Sequence, residues 1–118
     1  MVDLEVLKSL EETVGEPGFA VRLIQLFFES MPESLALVKK HFEAGDAKSM
    51  GLAAHAITSS AQNMGATKIG ELTKQLDRLG RSGSLVGADK LVAELFTAYD
   101  QTKVILEQFA QAKPRGKN

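Results

Sequence analysis

Residues 43–66 read EAGDAKSMGLAAHAITSSAQNMGA, and the order of their punctuation decides the fold class. Gly45 stops one helical run, and Asp46 follows at once as an N-cap whose carboxylate can accept from the free amides of the next. That second helix is expected to reach about Met64, where Gly65 closes it. A stop, a cap and a second stop in one short stretch make the flanking helices antiparallel neighbours.

The same rhythm extends in both directions. Upstream, Leu4, Leu7, Leu10 and Val14 recur at helical spacing until Gly15, Pro17 and Gly18 break the pattern. From Phe19, the apolar positions Leu23, Leu26, Phe27, Leu35, Val38 and Phe42 continue to Gly45. Pro32 interrupts this run and is read as a kink in one continuous helix. Downstream, Thr67 is expected to cap a helix with Glu71 in its first turn and Ile69, Leu72, Leu76 and Leu79 as its buried stripe. A last helix is expected from about Leu85 to Ala112, with Leu91, Leu95, Ala98, Thr102, Ile105 and Phe109 inside.

No alternating run bounded by turn residues suggests a strand. The expected fold is therefore all-α: an up-and-down four-helix bundle with a short additional N-terminal helix. Its 118 residues fit a single domain, assigned to 1–112, with a disordered basic tail over 113–118.

Composition narrows the chemistry. Fourteen Lys and Arg against fifteen Asp and Glu give a net charge of −1, which argues against a nucleic-acid partner. The absence of cysteine removes disulfides, thiolate metal sites and thiol catalysis. No segment has the length and apolarity of a membrane span, and the N-terminus lacks a signal peptide's pattern, so a cytoplasmic location is expected. With no heptad seam left over for a second chain, a monomer is expected.

Two histidines remain as chemical candidates. His41 stands at the end of a lysine-bearing helix, where an imidazole interacts favourably with the dipole, and reads as a solvated helix-end residue. His55 is different. At about 100° per residue, Lys48, Gly51, Leu52, Thr58, Ser59 and Gln62 share its face, while Met50, Ala53, Ile57, Ser60, Ala61 and Met64 turn the other way to form the core. His55 should thus face solvent, with Gly51 and Ser59 leaving room around it.

An exposed, unprotonated imidazole is a nucleophile. Nothing nearby in sequence supplies the acid and oxyanion donors of a serine hydrolase, or the spaced ligands of a zinc site. An electrophile delivered by a partner would need only the histidine.

The segment 54–66 resembles the histidine-containing phosphotransfer (HPt) family, whose phosphoacceptor lies in A-H-x-L-K-G-S-S-A-N-L-G-A. Ala54 and His55 stand at the alanine and histidine, Ile57 at the leucine, Ser60 at the first serine, Asn63 at the asparagine, and Met64, Gly65 and Ala66 at the end. Ile69, Leu72, Leu76, Asp77, Gly80 and Arg81 resemble the family's following helix, and the segment around Pro32 its preceding one. Thr58 and Ser59 depart from the usual lysine and glycine.

The resemblance implies that His55 accepts a phosphoryl group from a receiver-domain phosphoaspartate, the partners being response regulators or a hybrid sensor histidine kinase. It also implies no cofactor or metal of the chain's own, the Mg²⁺ belonging to the receiver. Thr58, Ser59, Lys48 and Gln62 are candidates to support the phosphate, with Lys68 or Arg78 as further cations. Gly51, Leu52, Ala56 and Ser59 are candidates for partner docking; Leu52 reads equally well as exposed or as the edge of the core. A non-phosphorylated helical adaptor descended from the same family is the alternative, resting on Thr58 and Ser59.

Overall fold

The computed structural model describes residues 2–112 and contains five helices: α1 (Leu4–Val14), α2 (Phe19–Glu43), α3 (Ala47–Asn63), α4 (Thr67–Arg81) and α5 (Ala88–Ala112). Among the described residues there is no strand, only an isolated antiparallel bridge between Val2 and Ala66. The sequence-assigned tail at 113–118 lies outside the described residues. Helices α2 to α5 close a ring in which α2 packs on α3, α3 on α4, α4 on α5, and α5 back on α2, while α1 lies against α2.

The helix boundaries follow local chemistry. The Asp46 carboxylate accepts from the Ser49 amide at 3.1 Å, as an N-cap should. The N-cap of α2 is Gly18, which has no capping side chain, and the need is met from α1 instead. Glu11 reaches across to accept from the amides of Gly18 at 3.1 Å and Ala20 at 3.3 Å. Pro32 sits on the exposed side of α2, which runs through it as one continuous helix.

Two boundaries differ from the sequence reading. Ala66, not Thr67, occupies the N-cap position of α4, with no side-chain cap bond, and Thr67 is the first helical residue. Backbone anchoring explains this. Ala66 is fully buried and bridged to Val2, and the neighbouring Gly65 carbonyl accepts from the Asp3 amide at 2.6 Å. A Cβ on Gly65 would collide with the Asp3 carbonyl, so the start of α1 is pinned to the α3–α4 turn. Helix α5 starts at Ala88 rather than Leu85 because Gly87 adopts φ +84°, a conformation that cannot continue backwards as helix.

The core is aliphatic, with Leu7, Ile24, Met31, Leu35, Met50, Ile57, Ile69, Leu72, Leu76, Leu95 and Leu106 essentially inaccessible to water. Phe27 of α2 meets Tyr99 of α5 with ring centroids 6.2 Å apart. Several inward assignments shift by one position. Val92, Tyr99 and Leu106 take deep places in α5, while Leu91, Ile105 and Phe109 are half-buried. In α3, Ala54 is buried whereas Ser60 is exposed and Ala53 half-buried. A helix held between two neighbours buries an arc set by both, which a single periodic stripe does not locate. Val14 and Leu26, expected inside, are exposed.

Candidate functional site

The site is set by how closely α3 and α4 approach. Gly51 and Gly80 face each other at the crossing: a Cβ on Gly51 would lie 2.9 Å from the Gly80 Cα, and one on Gly80 would lie 2.6 Å from both the Gly51 Cα and the Ala47 carbonyl oxygen. Only two glycines permit this contact. Gly51, expected to serve partner docking as space beside the imidazole, is instead buried against α4. Its effect on the histidine is indirect. Close packing brings the preceding turn of α4, carrying Asp77, up to His55.

His55 is exposed, with 61% of its side chain accessible, and its Nδ1 lies 2.9 Å from Asp77 Oδ2. Arg81, one turn along α4, donates from Nε to Asp77 Oδ1 at 3.0 Å and from Nη2 to Oδ2 at 3.4 Å. The Arg81 guanidinium holds the Asp77 carboxyl below its ordinary range, and the His55 hydrogen bond adds to this against the opposing effect of burial. An ionised carboxylate can only accept, so the hydrogen between the two side chains belongs to His55 Nδ1. In the neutral ring, Nε2 then carries the free lone pair and points away from Asp77.

Thr58, at the position where a lysine supports phosphate in the family pattern, turns elsewhere. Its hydroxyl lies 2.8 Å from that of Thr73 on α4 and can donate to it, the Ala54 carbonyl at 3.3 Å being the alternative acceptor for its single hydrogen. Thr73 in turn donates to the Ile69 carbonyl at 2.9 Å. The Thr58 hydroxyl is thus committed to the α3–α4 seam, which corrects its assignment as a phosphate-supporting group. Ser59 and Gln62 are exposed on α3, and Lys48 lies along a cleft of about 460 Å³ with Gly51, Leu52, Asp77, Gly80 and Arg81.

The open question about Leu52 has an answer: it is 61% exposed. Ala56 is also exposed, and on α2 Leu26 joins Ser60 and Asn63 in a neighbouring shallow groove. His41 is half-buried in the last turn of α2, less solvated than expected. Among the described residues, no group of three or more His, Cys, Asp or Glu side chains could hold a metal, and no helix is long and apolar enough to cross a membrane.

The functional neighbour that residue-by-residue reading missed is Asp77, twenty-two positions from His55. Its signal was the pairing of helical glycines, Gly51 and Gly80, on facing helices.

The sequence matches the family model for the Hpt domain over residues 22–112. The chain belongs to the Hpt family. It is also similar to the crystal structure of histidine-containing phosphotransfer protein B (HptB) from Pseudomonas aeruginosa PAO1, at 26% sequence identity and a TM-score of 0.86. That match covers 93% of this chain and 94% of the other. A comparison with curated proteins found no match. The family assignment agrees with the exposed histidine in mid-helix, and the matched region contains all of α3 and α4, and with them the whole His55–Asp77–Arg81 cluster.

Proposed function

We propose that this Hpt protein is a phosphocarrier of a two-component phosphorelay, with His55 as its phosphoacceptor and an up-and-down four-helix bundle as its scaffold. The observation that carries the reading is the exposed His55 ring tied through Nδ1 to Asp77, which leaves Nε2 as the nucleophile. Nε2 attacks the phosphorus of a receiver-domain phosphoaspartate in line, the N–P bond forms, the P–O bond to the aspartate breaks, and the receiver regains its carboxylate. The ring becomes cationic during this step, and the Asp77 carboxylate on Nδ1 stabilises that charge. Reversal onto a second receiver passes the group onward.

Metal chemistry in this scheme would belong to the partner: a Mg²⁺ held by the receiver would supply the charge that neutralises the equatorial oxygens, and the chain itself would need no cofactor. The partner is a receiver domain of a response regulator or hybrid sensor kinase. It docks over Leu52, Ala56 and Ser59, with Leu26 of α2 extending the apolar patch. Lys48 remains the supporting cation on the His55 helix, with Gln62 beyond the ring as a polar neighbour. The protein acts as a cytoplasmic monomer.

The test is incubation with phosphorylated receiver domains, with His55→Gln as control. Acid-labile phosphate on the native chain and none on the variant is the expected result. No uptake from any cognate receiver would refute the carrier and favour a helical adaptor, the reading that the seam-bound Thr58 hydroxyl supports.

A further inference from the structure

Asp77 serves two partners with one carboxylate. Oδ2 receives both His55 Nδ1 at 2.9 Å and Arg81 Nη2 at 3.4 Å, while Oδ1 receives Arg81 Nε at 3.0 Å. The Asp77 side chain is only 15% exposed, whereas that of Arg81 is 70% exposed, so the arginine lies on the solvent side of the carboxylate and screens it.

A carboxylate bound by His55 alone could rotate about its terminal torsion, which is broad and soft. It would then present either oxygen, or none, to the ring. The two-point hold by a planar guanidinium fixes that rotation. It also changes the charge seen by an incoming phosphoryl group. A bare Asp77 beside His55 would repel a dianionic oxygen cluster, whereas the Asp77–Arg81 pair is neutral and leaves Lys48, across the same cleft, as net positive charge. In this chain the family's lysine position holds Thr58, whose hydroxyl faces the seam, so the cations near His55 come from α4 and from the start of α3.

We propose that Arg81 is a positioning residue for phosphotransfer. It clamps Asp77 so that one oxygen stays on His55 Nδ1, which keeps Nε2 free, and it cancels the carboxylate's charge beside the reacting nitrogen. The role rests on the phosphocarrier reading of His55, but its first readout does not need phosphate at all.

Nitrogen-15 chemical shifts of the neutral His55 ring in the unphosphorylated protein report the tautomer directly. The wild-type chain should hold the Nδ1–H form. Arg81→Ala should raise the fraction of Nε2–H several-fold, with helical content and urea midpoint close to wild type. Asp77→Asn should shift it at least as far, and Arg81→Lys, which keeps the charge and loses the fork, should fall between. Uptake of phosphate from a phosphorylated receiver should slow several-fold in Arg81→Ala and partly recover in Arg81→Lys. An unchanged tautomer in Arg81→Ala, or an unchanged uptake rate, overturns the assignment. Failure of the wild-type chain to take phosphate would instead refute the carrier reading, and the tautomer measurement would still decide whether Arg81 holds Asp77 on the ring.

Discussion

Replacing Gly80 with alanine should damage both stability and the His55 site, because the new Cβ enters the tightest point of the α3–α4 crossing. It would lie 2.6 Å from the Gly51 Cα and 2.6 Å from the Ala47 carbonyl oxygen, backbone atoms that cannot step aside alone. Carbon atoms pack comfortably at about 3.5 Å or more, so the helices must part by about 0.9 Å. Added to the 2.9 Å between His55 Nδ1 and Asp77 Oδ2, that separation gives about 3.8 Å, past the ~3.2 Å limit of an effective hydrogen bond.

Overpacking of this kind costs about 1–3 kcal/mol. The helix gains about 1 kcal/mol from alanine over glycine. The net loss is therefore about 1 kcal/mol, with a range from zero to two. Gly70 is the control. A Cβ there meets only the Gln62 Cγ at 3.7 Å, an ordinary contact, so Gly70→Ala should be neutral or stabilising. Urea unfolding of both variants, with His55 nitrogen-15 shifts recorded on each, makes the comparison. If Gly80→Ala proves as stable as Gly70→Ala and keeps the Nδ1–H ring, the glycine crossing does not set the site.

Acid should destabilise the fold through two aspartates. The Ser49 amide lowers the Asp46 carboxyl and Arg81 lowers Asp77, each from an ordinary value of 3.8, so the folded state binds fewer protons than the unfolded chain. Their contribution is complete above the unfolded value and is lost as pH falls through it toward the folded one; the urea midpoint should drop between pH ~5 and pH ~3, and the combined Asp46→Asn, Asp77→Asn variant should flatten that drop. Two buried threonines should respond in opposite ways to valine. Thr102 Oγ1 has no hydrogen-bond partner, so Thr102→Val should stabilise the protein by about 1 kcal/mol or leave it unchanged in thermal unfolding. Thr73 Oγ1 bonds the Ile69 carbonyl and meets Thr58, so Thr73→Val should cost about 0.5–1.5 kcal/mol in the same assay.

The parts of this structure that sequence discloses are those encoded within one helix. Asp46 announced its cap and Gly65 its turn, because both act on backbone groups a few residues away. The exposed His55 was equally legible, from the small and polar residues on its own face. What periodicity did not convey was contact between helices. Gly51 looked like space left for a partner and is instead half of a helix crossing, and Thr58 looked like a replacement for a phosphate-binding lysine while its hydroxyl faces Thr73. The shift of the α5 seam toward Val92, Tyr99 and Leu106 has the same origin, since two packed neighbours and not one determine which arc is buried. Asp77 was visible as part of the family likeness, yet its place on the His55 ring emerges only when α3 and α4 are brought together.

The central claim is that Asp77 occupies Nδ1 of His55 and so directs the phosphoryl group to Nε2. Phosphorus-31 NMR of the phosphorylated chain, prepared with nitrogen-15 histidine, tests it directly. The account predicts phosphorus coupled to Nε2 of His55 with the Nδ1 proton retained; phosphorus coupled to Nδ1, or carried by any other residue, would contradict it.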